Sequence, residues 1–156
     1  MENASARNMW GNYLNAHLEH AFEHAFEHAP LTTFFGDNEL DANTLAELTK
    51  LGVKKATSHS LLGLQNRNEK LPKIGDFIVV TNWSGEAQCI VRTTAVKLKP
   101  YFSIDSAYAQ IEGEGDKSLE YWKKTHWEYY TRELQKFGRE PRESMIIVCQ
   151  EFEKVY

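Results

Sequence analysis

The chain has 156 residues, of which 42% are hydrophobic and 26% are charged, and its formal net charge is −4. These values are typical of one globular domain with its own hydrophobic core. No apolar run reaches the roughly 20 residues that a membrane-spanning helix needs, and the first ten residues lack the pattern of a signal peptide. We therefore expect a cytoplasmic protein, residues 1–156 as a single domain with a helical extension at 1–30, and no membrane partner.

The basic residues are concentrated in the middle of the chain. Residues 50–99 contain nine Lys or Arg and three acidic residues, whereas the segments on both sides are acidic. This distribution suggests an anionic ligand that is bound locally, and it argues against a long, non-specific contact with duplex nucleic acid. Alternatively, these lysines only solvate the edges of strands.

The chain has two cysteines, and both lie in apolar segments that resemble strands. Cys89 stands in the sequence Gln-Cys-Ile-Val and Cys149 in Ile-Val-Cys-Gln. Two cysteines in such segments are typical of buried thiols in a reducing compartment, with a disulfide as the alternative.

Two helices are predicted before residue 53. The first covers residues 1–29, where apolar residues recur at spacings of three and four, and Pro30 ends it. Asp41 is expected to cap a second helix from 42 to 51, with Gly52 at its C-terminal end. The predicted buried stripe of the second helix consists of Leu45, Leu48 and Leu51.

A short repeat, Glu-His-Ala-Phe, occupies residues 19–29 of the first predicted helix. Its period of four places His20, His24 and His28 on one helical face, with glutamates beside them. Histidines at this spacing can share a metal ion. A third ligand position is not visible, so an amphipathic helix that happens to repeat remains the alternative.

The remainder of the chain is predicted to be mostly strand, followed by one long helix. The strands are expected at 55–60, 77–82, 87–96 with a continuation over 97–104, and 145–152, and the helix at 118–137. Because consecutive strands have no helix between them, the sheet should be mostly antiparallel. The predicted fold class is therefore α+β, a small β-barrel with flanking helices.

Two segments contain residues that could carry chemistry. In Gly52-Val53-Lys54-Lys55-Ala56-Thr57, the glycine frees the chain at a helix end, and Lys54 and Thr57 reach one cleft only if the backbone bends between them. In the loop 112–116, three carboxylates alternate with two glycines. This loop could hold Mg²⁺ or Mn²⁺, or it could be a solvated turn.

The motifs together resemble those of the ASCH family, in particular its larger bacterial type. The family pattern Gly-x-Lys-x-x-Thr-x-Arg is matched by Gly52, Lys54 and Thr57, with His59 in place of the arginine. Further segments that are similar to the family are Phe35-Gly36-Asp37-Asn38, Leu45-Ala46-Glu47-Leu48, Pro72-Lys73-Ile74-Gly75-Asp76, Trp83-Ser84-Gly85-Glu86, Glu112-Gly113, Leu119-Glu120-Tyr121-Trp122, His126-Trp127 and Val148-Cys149-Gln150 followed by Phe152.

The resemblance implies a PUA-like β-barrel that binds single-stranded RNA or a modified nucleoside. Some family members cleave RNA with the help of a divalent metal, and a smaller type removes the acetyl group of N4-acetylcytidine with a Lys, a Thr and a Glu. Aligned by motif, these catalytic positions are Lys54, Thr57 and Glu112. Histidine at 59 puts anchoring of phosphate or base in doubt, because it is only partly charged near neutral pH.

Three functions remain open from the sequence. In a deacetylating hydrolase, burial would lower the pKa of Lys54 so that it accepts a proton. In a ribonuclease, the ammonium would instead stabilise charge on the phosphorane. In a non-catalytic RNA-binding module, whose affinity would fall steeply with salt, Lys54, Lys55 and His59 would contact phosphate, and Trp83 or Tyr101 would stack on a base. The predicted substrate-binding residues are Gly52, Lys55, His59, Trp83 and Tyr101. A protein that only binds partners through its N-terminal helix is a further alternative.

Overall fold

The computed structural model describes residues 3–18 and 29–156 as five strands with helices on both sides of the sheet. The strands are β1 (Leu31–Thr33), β2 (Ala56–Ser60), β3 (Phe77–Thr81), β4 (Ala87–Pro100) and β5 (Ile146–Lys154). The α-helices are α1 (Ala4–Ala16), α2 (Glu39–Lys50), α3 (Leu61–Asn66), α4 (Ser106–Glu112) and α5 (Leu119–Gln135).

The sheet is a mixed half-barrel with the strand order β1-β3-β4-β5-β2. Only the pair of β1 and β3 is parallel, and the other three pairs are antiparallel. Strand β4 pairs with β3 through its first half and with β5 through its second half. A register shift between Thr93 and Ala95 lets the strand bend from one partner to the other. The prediction of an α+β, mostly antiparallel, PUA-like barrel is confirmed.

The two faces of the sheet bury different sets of residues. Helices α4 and α5 pack on one face through Tyr108, Trp122 and Tyr130, which meet strand residues such as Ala56 and Ile147. The concave face holds a second apolar cluster, formed by Phe35, Ala46, Ile78, Val80, Cys89, Val91 and Phe152. Because neighbouring residues of a strand alternate between faces, strand β2 contributes to both sides.

Helix α1 packs on the sheet through aromatic residues. Trp10 and Tyr13 contact Phe77, with ring centroids 5.2 and 5.7 Å from it. The helix starts at an Asn3 cap, and the side chain of Asn3 also donates to the carbonyl of Gly85. The predicted helix over 1–29 is confirmed for Ala4–Ala16. The repeat at 19–29 lies, except for Ala29, outside the described residues, and both interpretations of it stay predictions.

Helix α2 begins earlier than predicted, and it buries a different stripe. Its cap is Asn38, whose side chain accepts a hydrogen bond from the backbone of Asp41. The helix buries Ala42, Ala46 and Thr49, whereas Leu51 is exposed. The prediction of an Asp41 cap with Leu45, Leu48 and Leu51 as the buried stripe is therefore wrong. Leu45 and Leu48 are half-buried, and Leu45 packs against the second apolar cluster.

The segment 101–116 also differs from the prediction. Residues 101–103 form a 3₁₀ turn instead of sheet, although the backbone of Tyr101 still donates to Met145. Asp105 then caps α4, a helix of seven residues that the sequence analysis missed. Helix α3 and strand β1 were missed as well, because such short elements show no full period of the hydrophobic pattern.

The other predictions for the fold agree with the structure. The long helix and the final strand lie where they were expected, and β5 is an interior strand of the sheet. Cys89 and Cys149 are buried free thiols. Among the described residues, no helix is long and apolar enough to cross a bilayer.

Candidate functional site

The candidate site forms where the end of α4 meets the segment that leads into β2. Gly113 follows Glu112 with a φ of 74°, which is a left-handed conformation that favours glycine. A Cβ atom at this position would overlap the carbonyl of Val53 and would lie 3.2 Å from the Cα of Lys54. The absence of a side chain at Gly113 therefore allows the two backbones to approach closely, which places Glu112 beside Lys54.

Lys54 is a buried cation that is surrounded by acceptors. It is 2% exposed, and its Nζ lies 2.7 Å from the carbonyl oxygen of Ala56 and 2.7 Å from Oε1 of Glu114. The third contact, with Oε2 of Glu112, is 3.5 Å long. Since N–H···O bonds are usually 2.7–3.2 Å long, the third proton of Lys54 is held only weakly. This proton is available to an oxygen atom of a ligand.

Glu112 accepts hydrogen bonds on both carboxylate oxygens. Oε1 accepts from Nε1 of Trp122 at 3.0 Å and from the hydroxyl of Ser58. Oε2 lies 2.9 Å from Nε2 of His126, whose Nδ1 lies 2.8 Å from the carbonyl of Trp122. Glu112 is thus the fixed centre of the cluster, and its main effect is to position Lys54.

The charges of this cluster shift the pKa values of its members. Burial alone lowers the pKa of Lys54, but the carboxylates of Glu114 and Glu112 outweigh burial and raise it. Burial favours the neutral form of Glu112, yet His126 and Lys54 hold its pKa well below the usual value. Lys54 is therefore an ammonium ion at neutral pH. For a deacetylating hydrolase, the sequence analysis expected burial to lower the pKa of Lys54. The direction of that predicted shift is wrong.

The pKa values of Glu114 and His126 are both raised above the usual values for these groups. Burial raises the pKa of Glu114, and the charge of Glu112 adds to this effect although Lys54 opposes it. Burial lowers the pKa of His126, but Glu112 outweighs burial and raises it. Of the two glutamates, Glu114 is also the more exposed, at 9% against 1% for Glu112. It is therefore the carboxyl group best suited to exchange a proton with a ligand.

The same residues do not fit a resident Mg²⁺ or Mn²⁺ ion. Ligand atoms of Glu112, Glu114 and His126 lie within 4.8 Å of one another, which is the spacing of a possible metal site. However, the ammonium of Lys54 bridges the two carboxylates, and the other contacts of Glu112 are hydrogen-bond donors. A divalent ion would have to displace Lys54. The side chain of Asp116 instead accepts a hydrogen bond from the backbone of Ser118, the residue that caps the next helix.

Thr57 joins the cluster through its backbone. Its carbonyl accepts a hydrogen bond from the hydroxyl of Tyr108, which also contacts Ser58. Since Ser58 faces Glu112, alternation along β2 places the side chains of Thr57 and His59 on the opposite, concave face. Among residues 3–18 and 29–156, the hydroxyl of Thr57 has no hydrogen-bond partner, so it remains available. The catalytic role of Thr57 stays a prediction.

The other predicted substrate contacts are spread over the molecule. Gly52 ends α2 with a φ of 75°, and the side chain of Lys55 is exposed. His59 lines a cleft of about 370 Å³ on the concave face, together with Gln150. Trp83 is 42% exposed and lines a different cavity of about 580 Å³ beside Phe34, at 4.9 Å between ring centroids.

Tyr101 is not available to stack on a base. It is 3% exposed in the core beneath α5, and its hydroxyl donates to the carbonyl of Lys123. Its ring packs against Trp122 and Trp127, with centroids 5.7 and 5.2 Å away. The structure therefore gives Tyr101 a role in packing and not the predicted substrate contact.

Sequence analysis did not assign a site role to Ser58, Trp122 or His126. The spacing of Trp122 and His126 along α5 predicted correctly that both are buried. Their rings stack with centroids 4.0 Å apart, so both polar edges reach Glu112. The available signal was the combination of a buried indole and a buried imidazole four residues apart, both of which need a hydrogen-bond partner.

Comparison with known proteins identifies the family. The ASCH domain model matches residues 31–156, and the chain therefore belongs to the ASCH domain family. A crystal structure of an ASCH domain from Lactobacillus crispatus JV V101 has a TM-score of 0.89 and 31% sequence identity, covering 97% of this chain and 94% of that chain. Protein EF3133 from Enterococcus faecalis V583 has a TM-score of 0.84 and 29% identity, covering 97% and 88%. A search of curated proteins gives no significant match.

We expect the contribution of His126 to stability to disappear in alkaline solution. Its pKa in the folded protein lies above the ordinary 6.5, so its interaction with Glu112 is fully present below about pH 6.5 and is lost as the pH rises through the raised pKa. Thermal unfolding of the wild type and of His126→Gln should therefore differ more at pH 6 than at pH 9. An equal difference at both pH values would contradict an ionic role for His126.

Proposed function

We propose that this ASCH domain is a hydrolase that acts on a modified nucleoside, with N4-acetylcytidine as the first substrate to test. The observation that carries this proposal is the buried ammonium of Lys54 between Glu112 and Glu114. ASCH domains generally bind nucleic acids. The concave face also has a cleft of a size that suits a small ligand, which is lined by His59 and Gln150 and not by Lys54, Glu112 or Glu114.

The chemistry of the proposal is the hydrolysis of an amide. Water adds to the acetyl carbonyl, the bond between this carbon and N4 breaks, and cytidine and acetate are released. The carbonyl oxygen becomes negative on the way, and the weakly held proton of Lys54 would stabilise it. Glu114 as a carboxylate would take a proton from water and return it to N4.

Two observations favour a nucleoside over an RNA chain. Lys54 is enclosed and already engaged with carboxylates, so it is not displayed to a polyanionic backbone. The rim of the cleft carries Glu69 and Asp76 beside Lys70, which makes it acidic in balance. Binding of a nucleic acid chain usually relies on several exposed cations.

Cleavage of RNA is the second candidate, and the pKa of Lys54 supports it. A permanently protonated lysine can stabilise the charge of a phosphorane as well as that of a carbonyl oxygen. The residues are the same in both candidates, so the substrate decides between them. Residence in the cytoplasm is proposed together with either function, because both cysteines are free thiols.

The test is incubation of the purified protein with N4-acetylcytidine and, separately, with a short single-stranded RNA with and without Mn²⁺. Chromatography should show release of cytidine by the wild type. Glu114→Gln should lower the rate by about 10²–10⁴-fold, because it removes a proton-transfer group. Glu140→Gln serves as the matched control, since it makes the same change at an exposed glutamate, and it should keep the activity.

Three results would contradict the deacetylase proposal. If only the RNA is cut, the second candidate replaces it. If nothing turns over, the domain is a binding module. If Glu114→Gln is folded, by its unfolding temperature, and as active as the wild type, Glu114 is not the proton-transfer group.

A further inference from the structure

The cleft beside His59 is built on the concave face of the sheet, close to the edge strand β2. Its walls include the apolar residues Leu64 and Ile78, and its polar side carries His59 and Gln150. In the antiparallel pair of β2 and β5, Thr57 lies directly opposite Gln150. The cleft therefore shares a strand face with Thr57, the residue of the proposed site that is not saturated by hydrogen bonds.

A chain of hydrogen bonds fixes the orientation of His59. Nε2 of Gln150 donates to the hydroxyl oxygen of Thr93 at 2.8 Å, which turns Oε1 of Gln150 towards His59. This oxygen lies 2.8 Å from Nε2 of His59, and because a carbonyl oxygen can only accept, Nε2 must carry a proton. In a neutral imidazole Nδ1 is then a free acceptor, and no side chain or backbone group of the described residues donates to it.

The imidazole of His59 is neutral at physiological pH. Burial lowers its pKa, and this effect is larger than the opposing effects of the hydrogen bond that His59 donates to Gln150 and of the charges of Glu112 and Glu133. An arginine at this position, as in the family pattern, would present a fixed positive charge and only donors. The cleft instead presents one acceptor between apolar walls.

We infer that this cleft binds the uncharged base of a nucleoside, which donates its exocyclic N–H to Nδ1 of His59 and lies against Leu64 and Ile78. This inference rests on the proposed function, since it names the part of the substrate that the cleft takes. It also means that His59 contacts the base of the ligand and not a phosphate group.

The charges around the cleft support this assignment. A phosphate group is usually bound by several cations or by backbone N–H groups at a helix end. Here the rim has one lysine, Lys70, against the acidic residues Glu69 and Asp76, and His59 contributes no charge. A neutral heterocycle that is apolar on its faces and polar at its edge matches these walls better than an anion does.

The first experiment compares two ligands in the unaltered protein by calorimetry. Cytidine has an N–H on its exocyclic nitrogen, and N4,N4-dimethylcytidine does not. We expect about tenfold weaker binding of the dimethyl compound, which corresponds to the loss of one neutral hydrogen bond. His59→Phe should weaken the binding of cytidine by a similar factor, and the rim control Glu69→Gln should change it less than about twofold.

The second experiment observes His59 directly, so that it does not depend on a variant that folds. The ¹⁵N spectrum of the imidazole groups should show a protonated Nε2 and a bare Nδ1 for His59. Addition of cytidine should move the Nδ1 signal more than the Nε2 signal. The assignment of the signal can be made with His59→Phe, which lacks it.

The outcomes separate this inference from the proposed function. If cytidine does not bind, or if it leaves the nitrogen signals of His59 unchanged, the inference is overturned even when N4-acetylcytidine is hydrolysed. If cytidine binds as expected but no nucleoside is hydrolysed, the base site is supported and only the hydrolase proposal fails. Equal affinity for cytidine and its dimethyl derivative would also overturn the inference.

Discussion

Replacement of Lys54 by methionine is expected to lower the free energy of unfolding by about 3–5 kcal/mol, the typical cost of removing one partner from a buried ion pair. The variant keeps the apolar stem of the side chain but leaves Glu112 and Glu114 without their shared cation. Both carboxylates are buried, so water cannot replace the ammonium. Unfolding in urea, followed by fluorescence of the tryptophans, measures this change.

The adjacent lysine offers a matched control for this substitution. Lys55→Met makes the same chemical change one residue further along, at an exposed position, and it should alter stability by less than about 0.5 kcal/mol. If both variants lose the same amount of stability, the buried cluster is not the cause. A combination of Lys54→Met with Glu114→Gln should recover part of the loss, because one uncompensated charge is removed.

Replacement of Gly113 by alanine should lower the free energy of unfolding almost as much as Lys54→Met does, but for a steric reason. The left-handed backbone conformation costs an L-residue about 1–2 kcal/mol, and the new Cβ would also collide with the carbonyl of Val53. Forced repacking of this kind typically adds about 1–3 kcal/mol. Because the collision pushes Lys54 away from Glu112, hydrolysis of the substrate should also fall, by about 10²-fold for a displacement near 1 Å.

A substitution at Gly52 measures the cost of the left-handed backbone apart from the cost of the steric collision. It has a nearly identical φ of 75°, and a Cβ atom there would meet nothing within 4 Å. Gly52→Ala should therefore cost only the conformational part, and the difference between the two variants measures the close approach. Equal stability of both variants in thermal unfolding would show that the contact between Gly113 and Val53 can relax without cost.

Most of the fold could be predicted because its signals are local. The strand of β-branched residues at 77–81 and the long helix at 119–135 show full periods of their hydrophobic patterns. By contrast, α4 has only seven residues, and the sequence analysis left most of them unassigned and placed Glu112 in a loop. This short helix carries Glu112, so the element that positions the site is the one that periodicity could not show.

The pairing of Lys54 with Glu112 came from the family resemblance, and the residues alone did not predict it. They are 58 positions apart, and alternation within a strand gives no information about such a distance. The same limit explains why the direction of the pKa shift of Lys54 was predicted wrongly. A lysine near a turn is usually a surface residue, so both the burial of Lys54 and the placement of Glu114 against it depend on the tertiary structure.

The enclosure of the charged cluster separates it from dissolved salt. Added ions weaken the attraction between exposed charges such as Arg132 and Asp37, which lie 2.7 Å apart at the surface. They cannot surround Lys54, because protein atoms fill the space around its ammonium. The cluster should thus keep its internal field over a wide range of ionic strength, so a domain of this design can work in concentrated as well as dilute surroundings.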